Sequence, residues 1–206
     1  SALWLRTYHL DSTVRLEFTG TLPTAVGAEQ IHDFSLTVDD GQYSHTSNFV
    51  RIYIIHSDAN LTITTQDYSA GWNLVSLPLS TAYDVPHHLL FPDAIPGTLF
   101  GFDGTYLQAA VLEPGKGYWL RFDEPVTNTF IGYPVNSITI NLTEGWNLIG
   151  GVTEEALLEN IDDPNNIIAS NTLYGFNDTY EAVDILKPGK GYWIRATQTG
   201  DITINA

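Results

Sequence analysis

The sequence has no cysteine and no methionine. Zero cysteine excludes a disulfide framework, a thiolate metal site and a cysteine nucleophile, while leaving the compartment open. Without a methionine the chain is expected to be a processed or excised one, in which no signal peptide can be read. Basic residues are scarce: 8 Lys and Arg stand against 24 Asp and Glu, a formal charge of −16. A surface of that sign repels a phosphate backbone or an anionic lipid surface, so nucleic acid is not an expected partner. No apolar run approaches the roughly 20 residues that span a bilayer. There is no basic amphipathic helix to lie on one either, and membrane insertion is not expected.

Charged residues make up only 16 % of the chain. Thr, Ser, Asn, Gly and aromatics are plentiful instead, the composition of a β-rich chain with many turns. Its organising feature is a set of words used twice. Pro114-Gly115-Lys116-Gly117-Tyr118-Trp119-Leu120-Arg121 returns as Pro188-Gly189-Lys190-Gly191-Tyr192-Trp193-Ile194-Arg195, 188 − 114 = 74 residues later. At the same offset, Gly71-Trp72-Asn73-Leu74 returns as Gly145-Trp146-Asn147-Leu148. Thr98-Leu99-Phe100-Gly101-Phe102 likewise returns as Thr172-Leu173-Tyr174-Gly175-Phe176. The chain therefore reads as an N-terminal part, 1–59, followed by copy one, 60–134, and copy two, 135–206.

Residues 1–59 alternate apolar and polar side chains as half-buried strands do. Strands are expected over Leu3 to His9, Thr13 to Gly20, Asp33 to Asp40 and Ser47 to His56, with a turn at Asp39-Asp40-Gly41-Gln42. One sheet of four such strands leaves an apolar face and two unpaired edges exposed, so this part needs covering. Phe34-Ser35-Leu36-Thr37-Val38-Asp39-Asp40-Gly41, followed by Ser47-Asn48-Phe49-Val50-Arg51-Ile52-Tyr53-Ile54, resembles the closing hairpin of bacterial immunoglobulin-like and cadherin-like surface domains. The resemblance implies about half of a two-sheet sandwich, whose full length is about 100 residues. The cadherin calcium motif Asp-x-Asn-Asp has no match here, so no calcium is carried over from it.

Each copy is expected to hold five or six short strands and at most one short helix, as a compact barrel or sandwich. A Thr-rich strand opens each, Leu61 to Thr65 and Ile138 to Leu142, and the Gly-Trp-Asn-Leu strand follows. In copy two a capped helix is expected over Thr153 to Ile161, with Ala156, Leu157 and Ile161 inward. In copy one Pro86 allows only a shorter helical turn near His87-His88. The pattern of Gly-Trp-Asn-Leu then Pro-Gly-Lys-Gly-Tyr-Trp is similar to a tandem module near the C-termini of large secreted and cell-surface bacterial proteins. The resemblance covers about residues 68–206 and brings no catalytic activity of the module itself. It implies a secreted protein whose neighbours are enzymes or adhesive repeats. In one respect a departure from that setting is expected, since no sorting domain is read after the closing strand.

Several residues invite a chemical reading. Gly-Lys-Gly suggests a phosphate loop, but a Walker loop needs an earlier Gly, a Ser or Thr after the Lys and a following helix, where this chain has Tyr-Trp and a strand. The expected role is a turn. Trp72, Trp119, Trp146 and Trp193 recur in both copies, as a shared core requires, and core is their expected place. The alternative is an exposed platform for sugar rings. Alternation along the strand puts Tyr118, Leu120 and Phe122 on one face and Trp119 and Arg121 on the other. His87-His88 has no partner at metal-ligand spacing, and His9, His32, His45 and His56 are scattered. Asp39-Asp40, Asp123-Glu124 and Glu154-Glu155 are expected to solvate turns or cap a helix start. Calcium in Asp-rich turns stays open, and no other cofactor is implied. Asn60, Asn141 and Asn177 head Asn-x-Thr glycosylation triplets. No Gly-x-Ser-x-Gly, His-Glu-x-x-His or Gly-x-Gly-x-x-Gly motif occurs.

The sequence thus leads to an all-β, non-enzymatic, extracellular structural or adhesive surface protein. Its partners are copies of itself or neighbouring surface proteins, and its N-terminal part is a candidate for filament growth by strand addition. The alternative is a carbohydrate-binding accessory module of a secreted hydrolase, with polysaccharide as partner. Function is expected in the parts that are not repeated: residues 1–59 and the loops Thr81 to Pro96 and Val152 to Asn166.

Overall fold

A computed structural model describes residues 61–81 and 85–206 in full and, before them, the backbone of six strands. The fold is all-β, built of separate antiparallel sheets with no closed barrel among them. Contacts divide the chain into two compact units, Ser1–Ala59 and Asn60–Ala206. In the first, β1 (Trp4–Leu10) pairs with β2 (Thr13–Thr19), β3 (Gln30–Phe34) with β6 (Val50–Ile54), and β4 (Thr37–Asp39) with β5 (Ser44–Thr46). Of the strand expected over Asp33 to Asp40, Asp33 and Phe34 belong to β3 and Thr37–Asp39 form β4, and the residues between them lie outside the described ones. Of the one expected over Ser47 to His56, Val50–Ile54 is strand, and the flanking residues lie outside the described ones. The turn through Asp40 and Gly41 lies outside the described residues.

In the second unit copy one opens with β7 (Thr62–Tyr68), β8 (Gly71–Ser76) and β9 (Leu79–Ser80). A single helical turn, α1 (His87–Leu90), follows Pro86. Then come β10 (Phe100–Phe102), β11 (Tyr106–Gln108), β12 (Gly117–Phe122) and β13 (Val126–Pro134). Copy two runs through β14 (Ser137–Leu142), β15 (Gly145–Gly150), β16 (Ala156–Leu157), β17 (Tyr174–Asn177), β18 (Thr179–Ala182), β19 (Ile185–Leu186), β20 (Gly191–Ala196) and β21 (Gly200–Asn205). The sheets correspond: β11-β10-β12-β8 in copy one and β18-β17-β20-β15 in copy two. Each four-stranded sheet covers a ladder, β7 with β13 and β14 with β21, and the core fills the space between the two layers. In copy one that core includes Tyr68, Phe91, Leu120, Phe122 and Phe130; in copy two, Leu142, Ile167, Leu173, Ile194 and Ile202.

The helix expected over Thr153 to Ile161 does not form. Ala156 and Leu157 pair with Leu186 and Ile185 as strand, and only Leu158–Asn160 makes a 3₁₀ turn. A stretch this short gains too few helical bonds to repay nucleation once a strand partner is at hand. Ala156 and Ile161 do turn inward, but Leu157 is exposed. Thr153 caps nothing: its hydroxyl donates to the Pro78 carbonyl of copy one at 2.8 Å and accepts the Val135 N–H at 2.7 Å.

The repeated words explain themselves in this frame. In Gly-Trp-Asn-Leu the Gly takes positive φ, 90° at Gly71 and 102° at Gly145, turning the chain into the strand. Asn73 then closes that turn, its amide donating to the Ser69 and Gly71 carbonyls at 2.8 and 3.2 Å. Asn147 repeats this at Thr143 and Gly145, at 2.8 and 3.1 Å. Leu74 and Leu148 are buried together, along with Trp193, in a third cluster where the two copies meet.

In Pro-Gly-Lys-Gly the turn of each copy is inserted against the other. The Gly189 carbonyl accepts the Ser76 N–H at 2.8 Å, and the Gly115 carbonyl accepts the Gly150 N–H at 2.9 Å. Val75 bridges to Lys190 and Ile149 to Lys116. Since 75 + 74 = 149 and 116 + 74 = 190, the contacts exchange as they do about a two-fold axis. Only glycine fits so close. A Cβ on Gly117 would stand 2.5 Å from the Ile149 carbonyl oxygen, and one on Gly191 2.9 Å from that of Val75.

These approaches make a stability prediction. Gly117→Ala must push backbone against backbone and is expected to cost about 3 kcal/mol or more. Gly104→Ala, at a hairpin tip with φ +69° and nothing within 4 Å, meets only left-handed strain of about 1–2 kcal/mol. Urea denaturation of both variants checks the order; equal costs would show that the close approach is not tight.

Candidate functional site

Strand alternation sorts the side chains of the two large sheets. In β12, Tyr118, Leu120 and Phe122 turn into the core of copy one, and Trp119 and Arg121 turn out of it. Register puts Trp119 opposite Leu74 and Phe100, and Arg121 opposite Trp72, on the same face. Copy two repeats this: Trp193 lies opposite Leu148 and Tyr174, and Arg195 opposite Trp146. The two aromatic faces meet across the two-fold. Phe176 of copy two packs edge-on against Trp119 at 4.8 Å between ring centroids, and Phe102 of copy one against Trp193 at the same distance.

Where the faces diverge they leave two equivalent pockets of about 440 Å³ each. Trp72, Phe100, Tyr106 and Trp119 line one, together with Phe176 from the other copy. Trp146, Tyr174, Tyr180 and Trp193 line its counterpart, together with Phe102. Every position of the first set recurs 74 residues on in the second, except that each pocket borrows its phenylalanine from across the axis. The walls are apolar rings, and no Asp or Glu is among them.

The four tryptophans expected as core thus separate into two kinds. Trp193 is 8 % exposed and Trp119 partly buried, both held between the copies. Trp72 and Trp146 remain 41 and 43 % exposed. Each sits near the start of an edge strand, beyond the reach of the opposing sheet. Tyr106 and Tyr180, 52 and 56 % exposed, rim the pockets; sequence reasoning missed them, although both recur at the 74-residue offset. Burial raises the Tyr180 hydroxyl above the usual tyrosine range, Tyr106 adds to it, and the nearby Trp193 N–H works against it. That approach falls short of hydrogen-bond geometry, so the buried Trp193 N–H has no partner among the described residues.

The Gly-Lys-Gly lysines are both engaged. Lys116 pairs with Glu113 at 2.8 Å on the surface. In copy two Lys187 occupies the position of Glu113, and Lys190 turns instead into copy one. It donates to the Asp67 carbonyl and lies over the Tyr68 ring, 4.4 Å from its centroid. Asp163 is also occupied, its two oxygens accepting the Ile167 and Ile168 N–H groups at 2.9 Å. His87 and His88 lie on α1, where a His87 ring nitrogen meets the Ala110 carbonyl at 2.9 Å. Among the described residues no three His, Asp or Glu side chains come together as a metal site. Asp123-Glu124 and Glu154-Glu155 are exposed; Asp40, His45 apart from its backbone, and Asn60 lie outside the described residues. Of the other sequons, Asn141 donates to Asp201 at 2.7 Å, and Asn177 is exposed at the tip of the β17–β18 hairpin.

Lys190 and the buried tyrosines set a pH dependence. Burial pushes the Lys190 ammonium down to about 8, against the attraction of Asp67 and with the repulsion of Lys187. Between pH 8 and its ordinary 10.5 the unfolded chain holds a proton that the folded one has released, so stability rises with pH through that window. Tyr192 is pushed up to about 12, and Tyr68 and Tyr118 are also raised, all mainly by burial. Above pH 10 these tyrosines ionise first in the unfolded chain, so stability falls. Urea denaturation across pH 7–12 is expected to show this maximum. Lys190→Met is expected to abolish the rise below pH 10, and an unchanged rise in that variant would contradict the assignment.

No family model, curated protein or solved structure matches this chain.

Proposed function

We propose that the chain is a non-enzymatic, extracellular adhesive module whose residues 60–206 hold carbohydrate on two aromatic platforms. One observation carries this reading: Trp72 and Trp146, large apolar rings in equivalent places, stay substantially exposed beside equivalent pockets. Burying such a side chain stabilises a fold by about 1.5–3 kcal/mol, and both copies forgo part of that. Flat indole and phenol faces match the C–H faces of pyranose rings, and rings already fixed by their neighbours lose little entropy on binding.

A tryptophan fluorescence titration of the whole chain against a panel of polysaccharides tests the reading. A saturable change is expected that Trp72→Ala/Trp146→Ala abolishes while the circular dichroism spectrum is kept. Trp193→Ala, in the buried set, is expected to lose about 3–5 kcal/mol of stability. A saturable change that survives the double substitution, or none with any polysaccharide, would overturn it.

A second reading, growth of filaments by strand addition, draws on the first unit. Its described strands form three two-stranded ladders, and a ladder of two presents unpaired edges. Electron microscopy of the purified full chain is expected to show filaments on this reading; monodisperse particles at all concentrations would remove it.

A further inference from the structure

We infer that the polysaccharide held on these platforms is an anionic one, its sugar rings lying on Trp72 and Trp146 and its ring-borne carboxylate or sulfate groups on Arg121 and Arg195. The inference rests on the platform reading above and adds the chemical class of the ligand. Its starting point is the state of the basic residues. Residues 60–206 contain five: Lys116, Arg121, Lys187, Lys190 and Arg195. Lys116 has its carboxylate, and Lys190 its carbonyl and its ring. The side-chain cations of Lys187, Arg121 and Arg195 make no ion pair, hydrogen bond or ring contact with any described residue, and of these three only the two arginines stand at equivalent positions of the two copies. In a chain with 24 acidic residues against 8 basic ones, the two arginines placed identically are both left without a carboxylate partner.

Their position gives this meaning. Arg121 is the direct cross-strand neighbour of Trp72, and Arg195 that of Trp146, on the face that bears the pockets. Directly opposite residues on one face stand with Cβ atoms about 4.5–5.5 Å apart, close enough for one sugar residue to rest on the ring while its acidic substituent meets the guanidinium. The planar fork of arginine suits a carboxylate or sulfate, which it can hold by two parallel hydrogen bonds. Both arginines are exposed, so the fork is accessible.

The net charge of −16 opposes the approach of a polyanion, but only over distance. At physiological ionic strength charges separated by more than about 8 Å are largely screened, and the pocket walls contain no Asp or Glu. The acidic group nearest each arginine therefore meets the guanidinium with little of that repulsion. Two equivalent sites on one body also favour a repeating ligand over a single sugar, since the second contact is made at raised effective concentration.

Polygalacturonate and its methyl ester separate the terms, because they share the ring and differ in the charge. The full chain is titrated with both, with dextran sulfate and with a neutral β-glucan, by tryptophan fluorescence at fixed salt. Polygalacturonate is expected to bind at least about tenfold more tightly than its ester, the loss of one charge-assisted contact being of that order. Arg121→Gln/Arg195→Gln is expected to remove that preference and to leave the ester binding as before. Arginine-dependent binding of dextran sulfate as well supports the shared anionic chemistry; of polygalacturonate alone, it narrows the ligand to carboxylates. Equal binding of acid and ester, unaffected by the arginine substitutions, would overturn this inference and leave the platforms standing. No binding of any polymer, charged or neutral, would overturn both.

Discussion

The fold of residues 60–206 depends on one close approach made twice. The turn before β12 in copy one and before β20 in copy two lies against the other copy so tightly that backbone amides meet backbone carbonyls, Ser76 with Gly189 and Gly150 with Gly115. A side chain at Gly117 or Gly191 would occupy the same space as the opposing carbonyl. These bonds join peptide groups that would otherwise be buried without partners, and leaving such groups unpaired costs more than the bond itself contributes. The two copies are therefore parts of one block, and neither turn is complete without the other copy.

The pockets inherit that dependence. Phe176 closes the wall beside Trp119, and Phe102 the wall beside Trp193. A single copy would lack one wall of its own pocket and expose the buried cluster of Leu74, Leu148 and Trp193. Pairing the copies thus settles which tryptophans are buried and which stay open, and the chemistry available to a ligand follows from it. The exchange of contacts is broken where the copies differ in sequence, as at the Tyr68 hydroxyl on the Gly189 carbonyl and the Thr153 hydroxyl on that of Pro78. Lys187 stands where copy one has Glu113, and Lys190, without that carboxylate, reaches over Tyr68 into copy one.

Much of the fold was legible in the sequence. Period-two alternation located the strands of both copies, and the split of Tyr118, Leu120 and Phe122 from Trp119 and Arg121 holds in the structure. The helix over Thr153 to Ile161 was misread because local pattern carried no information about Leu186, the strand partner that captures Ala156. The site was harder to see. A tryptophan repeated for the core and one repeated for a surface look alike along the chain. Only the register of the sheets and the packing of one copy on the other separate Trp119 from Trp72. Pro-Gly-Lys-Gly was legible as a turn, but what the turn is inserted into lies 114 residues away, at Ser76 for Lys190. The aromatic lining, Tyr106 and Tyr180 excepted, also stands in the repeated words, whereas the sequence directed attention to the loops that differ.

Native-state hydrogen exchange of the full chain tests the dependence of the two copies on each other most directly. The account predicts that the Ser76 and Gly150 amides are protected to the same degree as the core strands β12 and β20, and that both copies open together in a single cooperative step. Exchange of these two amides at the rate of the hairpin tips, with the cores of copy one and copy two opening at different free energies, would contradict it.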